Sequence, residues 1–335
     1  MAFKLKPVAE QVIVITGASS GIGLATAYKA ADSGARIVLV SRNGDALQRI
    51  ESEILGKGGH AIHVVADVSK REDLERVAAR AIEAFGGFDT WVNNAGVGIF
   101  GRLSEVSDAD HRQLFEVNFW GFVYGTTIAA EHFKTKGGAI VNVSSVAADV
   151  GFPVQGMYSA SKHAIKGFTD SFRMEMEEAD APISITSIKP ASINTPFPAH
   201  AKNYLGGKPT LPPPVYQPED VADAIVFAAE HGGRDYYVGS GAKMISSLNK
   251  HAPQMVDKVG SRMIPKMSIL DEPMGRDAEG SLYQAGTGGE VHGDSNRLVR
   301  RSNYTQATLH PLLASTLVAG VGLAAAALLG RRDRS

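Results

Sequence analysis

VIVITGASSGIG, residues 12–23, is the stretch that decides the architecture. Five apolar or β-branched residues read as a buried strand, the glycines end it abruptly, and a helix opens behind them. Strand, glycine turn and helix in that order aim the free N–H groups of a helix N-terminus at one point, the context needed for a pyrophosphate site. Gly17 allows the tight turn, Gly21 lets the backbone approach a ligand, and Gly23 lets helix and strand pack. A merely tight β–α turn is the plainer reading, and the correct placing of strand, turn and helix weighs against it.

Outward from this turn, short β-branched runs alternate with longer amphipathic stretches between residue 11 and about 240, the pattern of βαβ units on a parallel sheet. VIVIT from Val12, RIVLVS from Arg36, HVVA from His63, TWVN from Thr90, AIVNVS from Ala139, ISITSI from Ile183 and DYYVG from Asp235 predict seven strands. Each is nearly continuous in apolar residues, as strands covered on both faces must be. Residues 70–85 and 218–230 show helical spacing with an acidic first turn, and Pro218 suits a position whose N–H has no partner inside the helix. The expected fold class is α/β: a Rossmann-like, doubly wound, parallel seven-stranded sheet with flanking helices and a C-terminal helical extension.

Of 335 residues, 44% are hydrophobic, enough for a sizeable core, and the alternating pattern makes residues 1–240 one expected domain. Near balance of 34 basic and 35 acidic side chains argues against a nucleic-acid partner. The absence of cysteine removes disulfides and thiolate chemistry, and fits a reducing compartment. The first residues read as strand rather than signal peptide, so a cytoplasmic domain is expected. Residues 196–218, rich in proline, read as a loop able to cover a substrate. Residues 241–268 predict one more helix carrying Met244, Ile245, Leu248, Met255 and Val256, and 269–310 a weakly ordered linker. Within 311–330, the run from Leu312 to Gly330 has no charge and precedes a basic tail, 331–335; it predicts an apolar, membrane-spanning helix, with packing on the protein or a dimer partner as the plainer reading. A homo-oligomer is expected.

The glycine spacing is G-x-x-x-G-x-G, and with Asp67 after the third strand, Asn93-Asn94-Ala95-Gly96 after the fourth and Tyr158-Ser159-Ala160-Ser161-Lys162 it resembles the short-chain dehydrogenase/reductase family over residues 8–240. The resemblance implies a nicotinamide dinucleotide held by Thr16, Gly17, Ser19, Ser20, Gly21, Ile22 and Gly23, by Asp67 and Val68 at the adenine, and by Asn94, Ala95 and Gly96. It adds Pro190, Ile193 and Thr195 near the nicotinamide. Ala191 stands where the family carries glycine, so a strained positive φ is a concern there. At the end of the second strand, where an acidic residue would bind two ribose hydroxyls, this chain has Ser41-Arg42; a guanidinium suits a 2′-phosphate, so an NADP-preferring type, NADP(H) over NAD(H), is expected.

Tyr158 and Lys162 lie four residues apart in a predicted helix, 157–178, and share a face. An ammonium beside a phenol lowers its pKa from about 10, so Tyr158 can exchange a proton while hydride moves. Ser145, thirteen residues before Tyr158, has the family's spacing for the group that holds the substrate oxygen; Ser144 is the neighbouring alternative. The resemblance also assigns Asn118 to a helix kink that links Lys162 to solvent, and gives Lys162 a bond to the nicotinamide ribose. No histidine or carboxylate spacing suggests a metal. The implied reaction is hydride transfer between NADP(H) and a lipophilic carbonyl or alcohol, the substrate pocket being expected from 151–157 and from the loop 196–218, including Phe197, Tyr204 and Leu205. A 3-oxoacyl thioester reductase and a non-catalytic NADP(H)-binding membrane scaffold are the alternatives.

Overall fold

The structure is a computed structural model that describes residues 4–274, 280–295 and 297–311. Seven parallel strands form the central sheet: β1 (Val12–Thr16), β2 (Arg36–Ser41), β3 (His60–Val65), β4 (Thr90–Asn93), β5 (Gly138–Val143), β6 (Ile183–Pro190) and β7 (Asp235–Val238). They lie in the order β7-β6-β5-β4-β1-β2-β3, so the chain reverses direction across the sheet at β1, where β2 pairs on one side and β4 on the other. Ligands of doubly wound sheets bind at that reversal, beyond the carboxyl ends of the strands.

Alternation explains the continuous apolar runs. Ile13 and Ile15 of β1 point to one face and join Leu24, Ile37, Leu39 and Ile225, whereas Val12 and Val14 point to the other and join Val38, Leu74, Trp91 and Ile140. Helices cover both faces: α1 (Gly21–Asp32), α2 (Gly44–Gly56), α3 (Arg71–Phe85), α4 (Asp108–Phe115), α5 (Gly121–Lys136), α6 (Gly156–Glu178), the single turn α7 (Phe197–His200) and α8 (Pro218–His231). Residues Glu116–Trp120 form a π-helical turn between α4 and α5. Capping follows chemistry: the Asn43 side chain accepts from Ala46 N–H to open α2, and Gly86 closes α3 in the left-handed region.

Beyond β7 the stretch 241–268 is two helices, α9 (Ser240–His251) and α10 (Pro253–Met267), because Pro253 starts a new first turn. The stretch 269–310, read as weakly ordered, contains the strands Ile269–Pro273 and Val299–Arg300 and helix α11 (Asn303–Leu309). These pack on the sheet and its helices: Leu282 and Leu309 are buried, and buried Asp220 of α8 accepts from Ser302 N–H.

The expectation of a membrane-anchored protein is corrected. No helix among the described residues is long and apolar enough to cross a membrane. The longest, α6 with 23 residues, carries Lys162, Lys166, Asp170 and Arg173 along its length. The predicted span 312–330 and the basic tail lie outside the described residues.

Candidate active site

The glycine turn closes because only hydrogen fits where side chains would stand. Gly17 has φ 68°, and a Cβ on Gly23 would lie 2.1 Å from the Gly17 carbonyl oxygen. Thr16 fastens the turn from behind: its hydroxyl accepts from the N–H groups of Asn94 (2.9 Å) and Ala95 (3.1 Å), and Asn94 Nδ2 donates to the Thr16 carbonyl at 2.9 Å. Asn93 continues the support inward, donating to Asn142 Oδ1 at 2.9 Å, while Asn142 donates to Thr169 on α6. This buried polar chain ties the floor of the site to the helix that carries Tyr158 and Lys162.

A cavity of about 460 Å3 opens over the carboxyl ends of the strands. Gly17, Ser19, Ser20, Gly21 and Ile22 border it on one side, with Ser41, Arg42, Asp67 and Val68 at one end. Asn94, Ala95 and Gly96 lie along its wall, and Ser145, Tyr158, Lys162, Pro190, Ile193 and Thr195 gather at the other end. Thr16, Gly23 and Asn118 stand behind the wall instead. Asn118 is buried in the π-helical turn, accepts from Val97 N–H at 2.8 Å and donates to the Val97 carbonyl at 3.0 Å. Its amide therefore fixes the Gly96–Val97 backbone.

Tyr158 and Lys162 have shifts opposed to the simple expectation of an ammonium lowering a phenol. Burial pushes the phenol up to about 12, and the Ser145 hydroxyl beside it pulls it partly back. Burial also brings Lys162 down to about 7. The lysine Nζ donates to the Val143 carbonyl at 3.1 Å and lies 5.0 Å from the Phe122 ring centre and 5.6 Å from that of Tyr158. Ser145, whose hydroxyl accepts from Ala147 N–H at 3.1 Å, borders the cavity beside the phenol; Ser144, which also borders it, has a buried hydroxyl without a partner. Ala191 carries no positive φ, and its N–H donates to the Val238 carbonyl at 2.9 Å, so the strain feared there is absent.

Of the pocket expected for a substrate, Phe152 and Gln155 from 151–157 and Phe197, His200, Leu211 and Pro212 from the 196–218 loop line the cavity, and the Phe197 ring lies 5.5 Å from that of Tyr158. Tyr204 and Leu205 do not line it; Tyr204 turns away to hydrogen-bond Asp110. Four apolar wall residues come from helices beyond β7: Met244 and Ile245 of α9, Ile264 and Met267 of α10. Met244 and Ile245 were among the apolar positions read from the sequence, Ile264 and Met267 were not, and the place of all four at this cavity depends on how α9 and α10 fold back. Ser281, Ala285, Gly286 and Thr287 also border the cavity, from a stretch whose sequence offered no signal.

The short chain dehydrogenase profile matches residues 11–204. The chain belongs to that family. It is 45% identical over 328 residues to an uncharacterized oxidoreductase, YxnA, of Bacillus subtilis, covering 97% of this chain and 92% of the relative. It is 36% identical over 239 residues to 11-beta-hydroxysteroid dehydrogenase A of Sesamum indicum, 68% of each. A solved short chain dehydrogenase/reductase from Burkholderia phymatum in complex with NAD superposes with TM-score 0.66 at 27% identity, covering 76% of this chain and 96% of that one. The protein is thus an oxidoreductase of the short-chain type, on a fold that binds a nicotinamide dinucleotide. Family membership alone carries neither an NADP preference nor an apolar C-terminal tail, so the NADP-preferring, tailed subtype expected from the sequence is corrected to membership of the family.

The residues present suit such a dinucleotide. The cavity runs along Gly17 and Ser19 to Ile22 of the glycine turn, and Arg42 Nη1 is buried without a partner beside its Asp67 end.

Proposed function

We propose that this enzyme transfers hydride between NADP(H) and a lipophilic ketone, aldehyde or the corresponding alcohol. The observation that carries the reading is one cavity that gathers Ser145, Tyr158 and buried Lys162 at one end and the unpartnered Arg42 nitrogen at the other. Arg42 and Ser41 would hold the 2′-phosphate, the glycine turn the pyrophosphate, and Thr195 with Lys162 the nicotinamide riboside. When bound, the nicotinamide supplies or accepts the hydride.

The remaining chemistry belongs to the chain. A phenol raised to about 12 stays protonated at neutral pH, so Tyr158 is set to donate its proton to a carbonyl oxygen that Ser145 also holds. Lys162, titrating near 7, offsets the negative charge left on the phenol when it is protonated. Asn118 keeps the Gly96–Val97 wall in place and thereby the shape of the reacting end.

Phe152, Phe197, Leu211, Met244, Ile245 and Met267 give the substrate end an apolar lining, which favours a bulky lipophilic molecule. The relative's action on a hydroxysteroid makes rigid polycyclic alcohols and ketones sensible first members of a substrate panel. The test is NADPH consumption across that panel by wild type and Tyr158→Phe. The variant should lose turnover while binding NADPH as tightly as wild type; full activity in Tyr158→Phe would refute the mechanism.

A further inference from the structure

The C-terminal stretch 280–293 crosses the open side of the cavity and bonds to both of its lips. On one lip, Arg42 Nη2 donates to the Ser281 carbonyl and Asn43 Nδ2 to that of Gly286 at 2.8 Å. On the other, Ser281 N–H donates to the His200 carbonyl at 2.7 Å, and His200 Nε2 pairs with the Thr287 hydroxyl at 2.9 Å. Between them the stretch runs over the glycine turn: Gly289 N–H donates to the Ser19 carbonyl at 2.8 Å, and Gly21 N–H to that of Glu290 at 2.9 Å. The approach is too close for side chains, since a Cβ on Gly288 would lie 2.6 Å from that of Ala46, and one on Gly293 would lie 2.3 Å from the Thr195 carbonyl oxygen.

The stretch is anchored at its start. Leu282 is fully buried in the core beneath α4, and the Tyr283 hydroxyl donates to Asp110 Oδ1 at 2.7 Å. Asp110 is itself buried on α4; it also accepts from the Tyr204 hydroxyl and pairs with Lys202 at 2.9 Å. One carboxylate therefore holds the covering stretch, through Tyr283, and the start of the proline-rich substrate loop, through Tyr204. None of the covering stretch lies within the residues matched by the family profile.

We propose that residues 280–293 are a strap that completes the dinucleotide site and must lift for the dinucleotide to leave, with Asp110 as the positioning residue that latches it to the substrate loop. The proposal rests on the reading of the cavity as a dinucleotide site. It predicts slow dissociation, because release requires breaking the contacts of Arg42, Asn43 and Tyr283 before the ligand can move.

The test uses the full chain. NADPH dissociation is followed by fluorescence in stopped flow with NADP+ in excess as the chase, for wild type, Tyr283→Phe, Leu282→Ala and Asp110→Asn. Tyr283→Phe should accelerate release by about tenfold, the loss expected for one hydrogen bond to a charged acceptor. Asp110→Asn combined with Tyr283→Phe should accelerate it by less than the product of the single effects, since both break one contact. Hydrogen exchange over 281–293 should slow when NADPH is added. Tyr283→Phe removes a single oxygen, so it remains informative if Leu282→Ala fails to fold. Unchanged release in Tyr283→Phe together with unchanged exchange over 281–293 overturns the strap while leaving the dinucleotide site standing. If NADH binds in place of NADPH, the same acceleration measured with NADH supports the strap although the Arg42 preference has failed. Binding of neither dinucleotide to wild type overturns both.

Discussion

Replacing Arg42 by alanine separates two roles that the structure gives one guanidinium. Nη2 is engaged by the Ser281 carbonyl, and Nη1 is buried and unpartnered. Loss of the first contact loosens the strap over either dinucleotide and should weaken both by roughly 1 kcal/mol, about fivefold. Loss of the second matters only for a ligand carrying a 2′-phosphate, where a charge-assisted bond contributes about 2 kcal/mol, roughly thirtyfold. Arg42→Ala should therefore bind NADPH on the order of a hundredfold more weakly and NADH only about fivefold more weakly. Titration of wild type and variant with both dinucleotides, by protein fluorescence or calorimetry at fixed ionic strength, reads the two losses directly. Equal loss for both would leave Arg42 no part in selecting between them. Tighter NADH than NADPH binding by wild type would refute the assignment outright.

Three further outcomes follow from single residues. Lys162 is neutral above about 7 and charged below it, and the charged form offsets the phenolate, so carbonyl reduction should fall as pH rises through about 7. Lys162→Arg, charged at all accessible pH, should be slower but should lose that fall, and a flat wild-type rate from pH 6 to 9 would contradict the assignment. Gly23→Ala puts a Cβ 2.1 Å from the Gly17 carbonyl oxygen, so the turn must open; NADPH binding should be lost or the protein should fail to fold, and wild-type affinity would show that the turn yields cheaply. Ala191→Gly restores the family's residue at a position without positive φ, so it should lower thermal stability slightly, by up to about 1 kcal/mol, and leave NADPH affinity unchanged.

The sheet was legible because its strands are covered on both faces. Val12, Ile13, Val14 and Ile15 are all buried, so the run is apolar without a break, and its length together with the glycine turn separates strand from helix. The residues that gather around the glycine turn and the Tyr158 helix were legible for a related reason. Each stands at the carboxyl end of a strand or on the first turns of a helix, so placing the strand places the residue. Ionisation was less legible. The tyrosine–lysine spacing was readable from the chain, but the opposite shifts of the two groups come from burial, and neighbours that enclose them, such as Phe122 and Phe197, are remote in sequence.

The strap marks where pattern reading stops, for a physical reason. A stretch that lies against backbone over a cavity needs small residues and main-chain bonds, and this is the composition that also characterises unfolded linkers. Its one large buried group, Leu282, and the Tyr283 hydroxyl that reaches Asp110 are single residues with no period to reveal them. Glycine at 288 and 293 therefore has two readings from sequence, freedom or close contact, and only the positions of Ala46 and Thr195 choose between them. Since Gly289 and Glu290 bond the glycine turn and Gly293 lies against Thr195 beside the reacting end, the part of the chain with the weakest local signal is the part that closes the site the strongest motifs build.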